Sequence, residues 1–65
     1  MDAQKIRVKR ISSEIPGAVL CLKARISRSR LSDIELGHIT VTPEELSRIE
    51  TALEQLIEAS NESRR

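Results

Sequence analysis

Apolar and polar residues alternate along three stretches of the chain, and a period of two marks a β-strand with one buried face. Over residues 5–11, Ile6 and Val8 point one way while Lys5, Arg7 and Lys9 point the other. Over residues 18–28, Ala18, Leu20, Leu22, Ala24 and Ile26 share a face, and Val19, Cys21, Lys23, Arg25 and Ser27 share the opposite one. Between these stretches, Pro16-Gly17 reads as a type II turn, with Pro presetting φ and Gly supplying a positive φ. Residues 34–42 read as a third strand, but Ile34 and Leu36 have the opposite parity to Ile39 and Val41. Gly37-His38 is where the extra residue is absorbed, as a β-bulge or as a break between two short strands.

The pattern then changes period. Leu46, Ile49, Leu53, Leu56 and Ile57 form one stripe at helical spacing, with Glu50, Glu54 and Glu58 along its flank. Thr42 is placed to cap this helix, Pro43 fits its first position, and Glu45 completes a Thr-x-x-Glu capping box. Glu44 and Glu45 also suit the positive end of the helix dipole. The pattern predicts one α+β domain over residues 1–65. Its strands lie at about 5–11, 18–28 and 34–42, and its amphipathic helix at about 43–60. The helix covers one face of a three-stranded, or four-stranded, antiparallel sheet.

Composition narrows the partners. The chain has no Phe, Tyr or Trp, so its core must be aliphatic and thin. A thin core with open strand edges favours a homodimer. Cys21 is the sole cysteine, which excludes an intrachain disulfide and suits a reducing compartment, cytoplasmic, or nuclear in a eukaryote. No apolar run has the length of a membrane span, and the N-terminus shows no signal-peptide pattern. Charge is divided unevenly: residues 1–30 carry +6 and residues 31–65 carry −5. A local field of this kind matters more to a ligand than the net +1 does.

On the expected sheet, Lys5, Arg7, Lys9, Lys23 and Arg25 share the outer face, and Arg28 and Arg30 extend it into the next connection. Cations packed this densely repel one another, and a polyanion relieves the repulsion while releasing its counterions. These seven residues are therefore the expected nucleic-acid surface of a small regulatory protein, with DNA favoured over RNA. The absence of aromatics argues against base stacking and for phosphate contacts. Any base readout falls to Arg25 or Arg7. Two other readings stay open: a solvated face that blocks aggregation, and a protein-interaction or self-assembly module whose basic face meets an acidic helix. Arg25-Ile26-Ser27-Arg28-Ser29-Arg30 reads as a phosphate-binding loop in preference to a phosphorylated one. His38 stands apart from any ligand spacing, and Cys21 has no nearby His in sequence, so no metal, cofactor or catalytic residue is expected.

Gly37-His38-Ile39-Thr40-Val41-Thr42-Pro43-Glu44-Glu45-Leu46 resembles a stretch of the positive cofactor four family of transcriptional coactivators. The resemblance implies a dimeric, β-rich domain that binds single-stranded DNA and ends in a helix. Ile39 to Leu53 also looks like the strand and first helix of a ribbon-helix-helix repressor.

Overall fold

The computed structural model describes residues 3–63, and among them the chain forms four helices and no strand. α1 spans Ala3–Ser12, α2 Gly17–Ala24, α3 Arg28–Glu35 and α4 Pro43–Ser63. The α+β expectation is thus overturned, and with it both resemblances, since residues 37–42 form a connection between helices. The helix foreseen after Thr42 is α4, but it packs on other helices.

Side-chain burial shows why period two misled. In α1, Ile6 is fully buried and Val8 is 60% exposed, although strand parity pairs them. In α2 the buried positions are Leu20, Cys21 and Ala24, a spacing of one and four, while Leu22 is 82% exposed. Leu20 and Ala24 satisfy a period of two and a period of 3.6 equally well, so a short segment carries no arbiter. Propensity is the arbiter that remains: Ala18, Leu20, Leu22, Lys23 and Ala24 all favour helix.

The core is drawn from every helix: Ile6, Ile15, Leu20, Cys21, Ala24, Leu31, Ile34, Ile49, Ala52 and Leu53. Val41, Leu46, Leu56 and Ile57 pack around its margin. Full burial of a side chain such as Leu20, Ile49 or Leu53 contributes about 1.5–3 kcal/mol. α2 packs most extensively on α4, and α3 rests against α1 and α2.

Helix ends account for the residues first assigned to turns and bulges. Glu14, not Gly17, takes the left-handed conformation after α1, with φ 58°. Pro16 is extended and precedes α2, and its carbonyl accepts from the N–H groups of Val19 and Leu20. Gly37 has φ 77° and terminates α3, and the His38 N–H donates to the Asp33 carbonyl at 2.8 Å. The glycine's conformational freedom serves a helix C-terminus rather than a bulge.

Candidate nucleic-acid interface

Arg25, Ile26 and Ser27 join α2 to α3. Arg25 closes α2 in the left-handed conformation, φ 60° and ψ 49°, and its N–H donates to the Cys21 carbonyl. Ile26 donates to the same carbonyl at 3.0 Å. Ile26 is half-buried against the core, which turns the chain back over α2. Ser27 then starts α3: its Oγ accepts from the Arg30 N–H at 3.1 Å. A side-chain cap at this position satisfies a helix-end donor that would otherwise lack a partner.

α3 buries Leu31 and Ile34 and leaves Arg28, Ser29, Arg30 and Ser32 exposed. Its first turn holds no acidic residue, so two arginines stand at the positive end of the helix dipole. That arrangement is unfavourable to the isolated helix and favourable to an anion.

Two arginine–carboxylate pairs anchor α3. Arg10 of α1 donates from Nε and Nη2 to the two oxygens of Glu35, each at 2.9 Å, and from Nη1 to the Ile15 carbonyl at 3.0 Å. Both side chains are shielded, 16% and 6% exposed. The bond to Glu35 raises the Arg10 pKa, against the opposing pull of burial. At the other end, Arg30 donates from Nε and Nη2 to the two oxygens of Glu45. Glu45 therefore does only half of what a capping box asks. Its N–H donates to Thr42 Oγ1 at 3.2 Å, but its carboxylate is turned to Arg30.

The seven cations expected on a sheet face are distributed differently. Lys5, Arg7 and Lys9 belong to α1, where residues two apart are about 200° round the helix. Lys5 and Lys9 share a flank, and Arg7 lies away from both. Lys23 ends α2, Arg25 occupies the turn, and Arg28 and Arg30 open α3. The structure thus gathers the last four around one helix–turn–helix corner and separates the α1 trio. Ser29 falls in the segment read as a phosphate-binding loop, but Ser32 goes unread, because its place on the outer side of α3 appears only once Leu31 and Ile34 are seen as an inward pair. Arg10, which is an anchor, also goes unread.

Cys21 faces the core, not solvent, and its Sγ donates to the Ser27 carbonyl at 3.7 Å. Burial pushes its pKa up, which leaves a thiol of low reactivity. His38 Nδ1 lies 3.5 Å from Asp33 Oδ1 at the exposed end of α3. Among the described residues no cluster of His, Cys, Asp and Glu could hold a metal ion, and no helix is long and apolar enough to cross a membrane.

Two helices joined by a three-residue turn, the second carrying cations and hydroxyls on its free side, define a helix-turn-helix domain. The helix-turn-helix family matches residues 6–56, and the chain belongs to it. It is a family of DNA-binding domains rather than of enzymes. No curated protein and no solved structure matches the chain.

Proposed function

We propose that this domain is a DNA-binding regulator that lays α3 in the major groove of duplex DNA. The observation that carries this reading is the free side of α3, with Leu31 and Ile34 inward and Arg28, Ser29 and Ser32 exposed beyond a capped turn. An α-helix with its side chains is about 10–12 Å across, and the major groove is about 12 Å wide, so α3 can enter it. In this family geometry the N-terminal residues of the second helix meet base edges while the first helix crosses the backbone. Arg28 is then the residue suited to a guanine, through paired donors to O6 and N7, and Ser29 and Ser32 supply single hydrogen bonds. Lys23 and Arg25, at the corner between the helices, are assigned to phosphates, and the α1 cations Lys5, Arg7 and Lys9 to the wider field that draws DNA in.

Duplex DNA is favoured over a single strand because the chain offers no aromatic ring for stacking. Two copies on a symmetric site, one helical turn between half-sites, are the natural mode for so small a reader. The test is selection of duplexes from a randomised pool, followed by binding of the winner across a range of salt. Several phosphate contacts require log K to fall steeply and linearly with log salt. Binding that ignores salt, or that prefers single strands, would remove the groove reading.

A further inference from the structure

α3 begins with two arginines separated by one residue, and the structure uses them differently. Arg28 is exposed, and no ion pair among the described residues engages it. Arg30 Nε meets Glu45 Oε1 at 2.5 Å and Nη2 meets Oε2 at 2.8 Å. A fork of this kind occupies the Nε–Nη2 edge of the guanidinium, offsets its charge and fixes its plane, so Arg30 is less available to a guanine or a phosphate than Arg28 is. Glu45 is not a loose surface partner: its side chain is 13% exposed, and its N–H is tied to Thr42 Oγ1 in the first turn of α4. Arg30 holds the Glu45 carboxyl below the usual carboxylate range, with Arg48 adding to the effect.

We propose that Arg30 is a positioning residue: clamped to Glu45, it fixes the first turn of α3 against the start of α4 and makes no contact with DNA. The pair closes a ring of chain that contains the rest of α3, the connection over residues 36–42 and the opening of α4. The attitude of the exposed residues Arg28, Ser29 and Ser32 is set through that ring. Glu45, on a different helix from the reading face, thereby determines how the face is presented. This inference rests on the groove reading of α3.

The experiment uses the full chain and a duplex selected with it. Salt dependence is compared for the parent, Arg28→Gln, Arg30→Gln, Glu45→Gln and the swap Arg30→Glu with Glu45→Arg. Circular dichroism establishes that each variant is folded at the binding temperature. Arg28→Gln should lower the slope of log K against log salt by about 0.9, the loss of one phosphate-scale contact, or relax selectivity at one base pair. Arg30→Gln and Glu45→Gln should each weaken binding several-fold with the slope unchanged, and the swap should restore most of it. A slope lowered by Arg30→Gln, or tighter binding by Glu45→Gln because a cation has been released, overturns the proposal while the groove reading stands. A parent that binds no duplex overturns both.

Discussion

α3 is held at each end by an arginine and a carboxylate, and the two pairs are unlike. Arg10–Glu35 is shielded, and Arg10 makes a third hydrogen bond to the Ile15 carbonyl, which ties α1, α3 and the approach to α2 together. Arg30–Glu45 has the same forked geometry, but Arg30 is 45% exposed. Removing Glu35 strands the shielded Arg10 guanidinium, whereas the exposed Arg30 simply rehydrates when Glu45 is removed. The same chemistry therefore serves folding at one end of the helix and placement at the other.

The largest effect that can break this contrast is at the shielded pair. Glu35→Ala should destabilise by about 3–5 kcal/mol, close to the whole stability of a chain this short, and leave a largely unfolded protein in urea titrations followed by circular dichroism. Replacing both partners with apolar residues, Arg10→Met with Glu35→Leu, should be less damaging than either single change. A loss below about 1 kcal/mol for Glu35→Ala would put the two pairs in one class. Next in size is the cap between them: Ser27→Ala should cost about 1 kcal/mol by releasing the Arg30 N–H.

Arg25→Gly should act with the opposite sign. A side chain at φ 60° is strained, and glycine should stabilise the domain by about 0.5–1 kcal/mol. If Arg25 touches a phosphate, the same variant should bind DNA with a salt slope lower by about 0.9. A variant both more stable and equally salt-sensitive would strike Arg25 from the interface.

The smallest effect concerns the Arg30–Glu45 pair. The Glu45 pKa is lowered in the folded state, chiefly by its bond to Arg30. Its contribution to stability is therefore complete above the ordinary carboxylate range and is lost as pH falls through the lowered value. Melting temperatures followed from about pH 6 to about pH 3 should drop slightly more for the parent than for Arg30→Gln. Identical profiles would mean that the pair adds nothing to the fold.

The end of the chain was legible because it carried redundant signals: a capping residue, a proline, two first-turn acids and a long stripe agree on α4. The first half offered only runs of about ten residues in which Leu20 and Ala24, or Ile6 and its neighbours, fit either period. Charge crowding at residues 23–30 did mark the corner between α2 and α3, although the sheet assigned to it was wrong. The roles of Arg10 and Glu45 were illegible, since their partners lie 25 and 15 residues away and only the packing of helices joins them.

Cys21 gives the molecule an internal gauge. It is the chain's one thiol, it lies beneath the turn between α2 and α3, and it is bonded to a carbonyl of that turn. A thiol reagent reaches it only when its cover opens, and a thiol of low reactivity is modified in proportion to the population of that open state. A protein with no Phe, Tyr or Trp is nearly silent to near-ultraviolet absorbance and intrinsic fluorescence. Its single thiol can report what fluorescence cannot: how far the corner assigned to DNA is open at equilibrium, and whether a bound duplex closes it.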